Sequence, residues 1–202
     1  MVRGLRFDNR LDPLLSEIAE RIINCTKCDL AEGRTNAVPG EGPQHAEIFF
    51  VGEAPGAKED ETGRPFVGQS GKLMTELIQE AGMKREDCFI TSIIKCRPPD
   101  NRNPKKEEIK SCVPYLLSQI DSVSPKVIMP MGNVSYEVFS HTFYLPKKKV
   151  GDVRGQVFRL HSTSAMYLIP TYHPAGLLYN RKLIPLFLED LKKGKYYIDM
   201  KK

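Results

Sequence analysis

The sequence predicts an α/β fold, a three-layer α/β/α sandwich around a central, mostly parallel four-stranded sheet. Two observations predict it. Short apolar runs recur at 48–51, 88–94, 127–131 and 166–170, and runs of this length bounded by Gly, Pro or polar residues read as buried strands. The segments between them carry apolar residues at helical spacing, and strands alternating with helices imply a parallel sheet covered on both faces. No internal repeat, low-complexity tract or linker divides the chain, so residues 1–202 are expected to form one domain.

Taken in order, Leu11, Leu14, Leu15, Ile18, Ile22 and Ile23 repeat at helical spacing, with Asp12 as N-cap and Pro13 at the first helical position. Residues 29–45 hold three Gly and two Pro and read as a loop. Residues 48–51 are the first strand, and 52–68 a long polar loop. A helix is expected over 70–81, with Leu73, Leu77 and Ile78 on one face and Gly82 as its stop. The second strand is 88–94. The proline-rich stretch 95–104 reads as irregular, and 105–120 as a helix interrupted near its start around Cys112 and Pro114. A third strand at 127–131 precedes a helix at 132–140. Residues 150–160 alternate loosely around two glycines and read as an edge hairpin. The fourth core strand is 166–170, the closing helix 183–191, and the tail is basic.

The chain of 202 residues is long enough for a sizeable core. No run of about eighteen apolar residues exists, so no membrane-spanning helix is expected. The first ten residues lack the apolar core of a signal peptide, which gives a cytoplasmic expectation. A formal charge of +5 permits a nucleic-acid partner without requiring one.

Two stretches follow strands and carry chemistry. One is Gly52-Glu53-Ala54-Pro55-Gly56; the other is Thr171-Tyr172-His173-Pro174-Ala175. In an open α/β sheet, ligands bind outside the carboxyl ends of the strands, so these read as two lips of one site. His45, His141 and His161 lack comparable flanks and read as surface residues. Four of the five cysteines form a pattern: Cys25-x-x-Cys28, then Cys96 and Cys112. Four thiolates with one C-x-x-C suit either zinc or an iron–sulfur cluster. The irregular spacing of the second pair leans toward a cluster. Cys88 lies in an apparent strand and reads as a small buried hydrophobe.

The ordered set of motifs resembles the family 4 uracil-DNA glycosylases, the iron–sulfur type of thermophiles. It comprises Cys25-x-x-Cys28, the Gly52–Gly56 turn with Glu59-Asp60, and Gly63-Arg64-Pro65-Phe66-Val67-Gly68. It continues through Lys95-Cys96-Arg97-Pro98-Pro99 and Cys112 to the Thr171–Ala175 stretch. The resemblance implies excision of uracil from single- or double-stranded DNA by a monomer. It also implies a [4Fe–4S] cluster on Cys25, Cys28, Cys96 and Cys112. Phe66 would stack on the flipped base, and His173 would face the uracil carbonyl beside the scissile bond. Glu53 would lie by the sugar and the attacking water, and Glu59 near the edge where thymine carries its methyl. Gly52 and Ala54 would complete the pocket.

One position departs from the family pattern: Ser92 stands where an Asn usually reads the uracil edge. A hydroxyl is shorter and less directional than an amide, so weaker discrimination is expected unless a water bridges the gap. Arg97, Arg102, Arg181, Lys182 and Lys147 to Lys149 are candidate phosphate contacts. Leu177, Leu178 and Tyr179 are candidate wedges for the hole left by a flipped base. Two other readings are a DNA-binding relative with altered base choice and a nucleotide-binding domain with structural zinc. Against the second, the chain has neither phosphate-loop signature, G-x-x-x-x-G-K-[ST] nor G-x-G-x-x-G.

Overall fold

A computed structural model describes residues 13–160 and 166–200. Five strands, β1 (Ile48–Gly52), β2 (Phe89–Ser92), β3 (Val127–Pro130), β4 (Phe158–Leu160) and β5 (Met166–Leu168), form one sheet in the order β2-β1-β3-β5-β4. The first four in that order run parallel, and β4 pairs antiparallel with β5 at one edge. The four expected core strands are therefore present, with a fifth added. The expected hairpin at 150–160 is instead a single helical turn, α7 (Val150–Val153), followed by β4. The alternation there is too short to distinguish a turn and a strand from two strands.

β1, β2 and β3 are buried on both faces, and the side chains of the parallel strands sort accordingly. Phe49, Val51, Ile128 and Leu168 point toward α1 (Pro13–Ile23), α5 (Lys106–Val123) and α6 (Asn133–Thr142). Ile48, Phe50, Ile90 and Met129 point toward α4 (Gln69–Glu80), α8 (Pro174–Tyr179) and α9 (Ile184–Asp199). This period-two division of a continuous apolar run places one core on each side of the sheet.

Several segments expected to be irregular contain short helices. α2 (Leu30–Gly33) lies in the 29–45 loop and α3 (Ala57–Thr62) in the 52–68 loop. α5 runs unbroken through Pro114. The carbonyl that Pro114 cannot bond belongs to Lys110, and both residues are exposed, so water can take the place of the missing donor. α9 continues eight residues beyond the expected end, through Gly194. That glycine faces the sheet, where an added Cβ would sit 3.0 Å from the Met129 sulfur. Asp12 and His161 lie outside the described residues. His45 and His141 are exposed, as expected.

Candidate active site and cysteine centre

The carboxyl ends of β1, β2, β3 and β5 meet at one edge of the sheet. Gly52 ends β1 and pairs with Ser92 at the end of β2. A bridge joins Met131 to Thr171, and His173 follows two residues later. Between these ends lies a pocket of about 320 Å³. Its walls include Glu53, Ala54, Glu59, Phe66, Ser92, Asn101, Arg102 and His173. The two lips read from the sequence thus converge, together with Phe66 and Ser92.

Two glycines make room for the rings. A Cβ on Gly52 would lie 2.5 Å from Phe66 Cζ, so the aromatic ring rests directly on the end of β1. Gly132, at φ +87°, gives the same clearance to His173, whose Cβ lies 3.0 Å from the position a Cβ on Gly132 would take. The Phe66 and His173 ring centroids are 5.7 Å apart and tilted by 39°. Phe66 itself has φ +50°, a left-handed backbone that is costly for a bulky residue and is retained where surroundings enforce it.

His173 sits at the N-cap of α8, and its Nδ1 accepts a hydrogen bond from the Ala175 amide at 3.2 Å. Burial lowers the imidazole pKa to about 4, with nearby Glu59 opposing the shift. The ring is therefore neutral near pH 7. With Nδ1 accepting, its proton lies on Nε2. Burial also raises the pKa of Glu53.

Glu59 is committed to the backbone. Its carboxylate accepts from the Val67 and Gly68 amides, both at 2.8 Å, and from the Gly56 amide at 3.1 Å. It lines the pocket while fastening the Gly52–Gly56 turn to the Phe66 loop.

The expected DNA contacts divide. Leu178 is 40% exposed and Tyr179 92% exposed, whereas Leu177 is fully buried against α4 and α9. The wedge expectation for Leu177 is therefore corrected: α8 turns its side chain into the core. Arg181, Lys182 and Lys147 to Lys149 are exposed. Arg97 donates to Asn101 Oδ1 at 2.9 Å. Arg102 is held in a two-pronged pair with Glu108 at 2.6 and 2.9 Å, so its charge is already neutralised. Asn101 was not singled out from the sequence. Its only signal there was its position among turn-forming residues, yet it lines the pocket at φ +53°.

Cys25, Cys28, Cys96 and Cys112 line one small cavity between α1, α5 and the end of the β2 segment, together with Lys95, Arg34 and Tyr115. Arg34 donates to Cys96 Sγ at 3.0 Å and to the Ile23 carbonyl at 2.7 Å, tying the end of α1 to the third cysteine. Among the described residues, no three His, Cys, Asp or Glu side chains converge closely enough to hold one metal ion. Cys88 lies elsewhere, buried, with its thiol donating to the Lys84 carbonyl and its pKa pushed up to about 12 by burial. Lys95 separates the two sites. It is 1% exposed, burial lowers its pKa to about 7, and its Nζ donates to Thr91 Oγ1, the Ser92 carbonyl and Gln119 Oε1 at 2.6–2.8 Å.

Comparison with known proteins agrees with this geometry. The family model for the uracil DNA glycosylase superfamily matches residues 39–199. The type-4 uracil-DNA glycosylase of Sulfurisphaera tokodaii is 47% identical over 181 residues, covering 89% of this chain and 82% of that one. That of Saccharolobus solfataricus is 45% identical over 189 residues, covering 93% and 88%. That of Archaeoglobus fulgidus is 42% identical over 180 residues, covering 89% and 90%. With the superfamily match spanning most of the chain and such identity to three type-4 enzymes, the chain belongs to the uracil DNA glycosylase superfamily, in its type-4 family.

Proposed function

We propose that this single-domain chain is a monofunctional uracil-DNA glycosylase that hydrolyses the N-glycosidic bond of a flipped uracil and leaves an abasic site. The observation that carries the reading is the pocket itself. It combines a neutral histidine with a free Nε2–H, an aromatic ring and a carboxylate within a space suited to one base.

A base in duplex must leave the stack to reach such a pocket, at a cost of a few kcal/mol. Stacking on Phe66 offsets part of that cost, on the order of 1–3 kcal/mol. As the bond to the sugar breaks, negative charge grows on the pyrimidine carbonyl, and His173 Nε2–H donates to it. A neutral donor meets developing charge without requiring a proton transfer. Glu53, which also lines the pocket, would stabilise the cationic sugar or orient water. Neither lip contributes a lysine amine to the pocket. Lys95 is the nearest lysine in sequence to the β2 end, and its Nζ is buried away from the pocket against three interior acceptors. Schiff-base strand cleavage is therefore not expected.

Cys25, Cys28, Cys96 and Cys112 would hold a [4Fe–4S] cluster. Four thiols around one cavity, without convergence on a point, fit a polynuclear centre better than zinc, which needs every sulfur about 2.3 Å from one ion. When bound, the group supplies a cross-link between α1, α5 and the chain after β2. Iron and acid-labile sulfide should be lost from Cys112→Ser and retained in Cys88→Ser. Retention in both would show that the wrong thiols are assigned.

Uracil-containing oligonucleotides test the activity. Released uracil with strand breakage only after alkali supports the reading. Breakage without alkali points to a lyase, and no release points to a DNA-binding relative with altered base choice.

A further inference from the structure

The loop that carries Phe66 is gripped on both sides of the ring. Behind it, Glu59 takes the amides of Val67 and Gly68. Ahead of it, Arg85 takes the carbonyls: Nη2 donates to Pro65 O at 2.6 Å and Nη1 to Phe66 O at 3.0 Å. Arg85 also donates to Thr75 Oγ1 on α4, at 3.1 Å, and to Glu41 Oε1, at 2.8 and 3.2 Å. Glu41 in turn pairs with Arg64, one residue before Pro65. A third constraint comes from α4. A Cβ on Gly71 would fall 1.9 Å from the Phe66 carbonyl oxygen, so the helix backbone presses on the same peptide.

We propose that Arg85, braced by Glu41, is a positioning residue that holds Phe66 in its left-handed conformation and so sets the ring at the height where it stacks on the flipped base. The proposal rests on the reading that Phe66 stacks. The chemistry favours arginine. Its planar fork reaches two consecutive carbonyls, a hydroxyl and a carboxylate at once, whereas a lysine offers one rotating point charge. A left-handed φ at a bulky residue reverts to a commoner region when its neighbours cease to enforce it. Arg85 lines a groove on the other side of this loop and no wall of the pocket, which it reaches only through the backbone carbonyls of Pro65 and Phe66. Its influence on the base must therefore pass through Phe66.

The experiment is a double-mutant cycle on the intact protein, read by single-turnover excision and by fluorescence of 2-aminopurine placed beside the uracil. Arg85→Gln should raise the half-saturating enzyme concentration roughly ten-fold, the scale of a lost stacking contact, and reduce the 2-aminopurine rise. The maximal rate and its pH profile should change less than about three-fold. Arg85→Lys should fall between the two. In a Phe66→Ala background, Arg85→Gln should cost less than about two-fold further, because the group it positions is gone. Equal cost in both backgrounds, or no cost in either, overturns the proposal. If Phe66→Ala alone leaves capture unchanged, the stacking reading fails and the clamp fails with it. Should Arg85→Gln not fold, judged by circular dichroism, Glu41→Gln removes the brace while keeping the fork, with the same expected direction and the same overturning outcomes.

Discussion

At the residue scale, the proposed chemistry depends on the state of His173. Its folded pKa of about 4 lies below the ordinary 6.5 because the imidazole is buried. A base with a depressed folded pKa takes up a proton on unfolding, so its contribution to stability is complete above pH 6.5 and is lost as pH falls toward 4. His173→Asn should therefore lose less stability than wild type between pH 6.5 and 4 in thermal melts. A parallel loss in both proteins would mean that the imidazole is protonated in the native state. The same variant should cut the single-turnover rate by roughly 10²–10³ while changing binding little, since the charge it meets develops only in the transition state. Ser92 is the other residue-scale question. Its hydroxyl lies 3.2 Å from where a Cβ on Gly52 would be, deep in the pocket wall. Ser92→Asn should sharpen the preference for uracil over cytosine, measured as a ratio of excision rates. If wild type already rejects cytosine and the variant leaves the ratio unchanged, recognition comes from backbone groups of the 52–56 turn or the Phe66 loop.

At the element scale, the parts most legible in the sequence are those with a single dominant cause. The parallel strands are continuous apolar runs, and 48–51, 127–131 and 166–170 match β1, β3 and β5 closely, because burial on both faces leaves no polar positions to confuse the period. The lips were legible because each follows such a strand. What was not legible depends on partners distant in sequence. α3 and α8 are six-residue helices with almost no periodicity to detect. Leu177 looked like a wedge because it follows His173, and only the packing of α8 shows that it faces inward. Arg85 lies in an unremarkable charged turn, and its role exists only because the Phe66 loop folds onto it. Asp190 is a similar case. It sits on α9, fully buried, where it accepts from Thr171 Oγ1 at 2.7 Å and forms a close ion pair with Arg154. It thereby ties α9 to the strand end that carries His173. Breaking a buried pair leaves the partner charge uncompensated, typically at about 3–5 kcal/mol. Asp190→Ala should lower the unfolding free energy by about 3 kcal/mol in urea melts. A change under about 1 kcal/mol would show that Glu189, which also contacts Arg154, takes over the pairing.

At the scale of the whole molecule, the pocket and the cysteine cavity are built on the same connection. The chain passes from Ser92 in the pocket wall to Cys96 in four residues, and buried Lys95 bonds back to the Ser92 carbonyl. Fastening Cys96 to α1 and α5 thus also fastens one wall of the pocket. The surface around that pocket is where the modest positive charge must act. Affinity for duplex DNA should fall with salt by about 0.9 in log K per log unit for each phosphate neutralised. The structure separates the basic residues that can contribute. Arg181 is exposed and makes no ion pair with a described residue, whereas Arg102 is already paired with Glu108, whose carboxyl it holds below the usual carboxylate range. Arg181→Gln should therefore reduce the salt slope by about one. Arg102→Gln should leave the slope unchanged and instead lower the melting temperature, because it strands Glu108 at the start of α5. Both slopes come from anisotropy titrations of a labelled uracil-free duplex between 50 and 200 mM salt, a range over which counterion release is strong. A reduced slope for Arg102→Gln with unchanged stability would mean that DNA displaces Glu108, making the pair a gate on the guanidinium rather than a fixture of the fold.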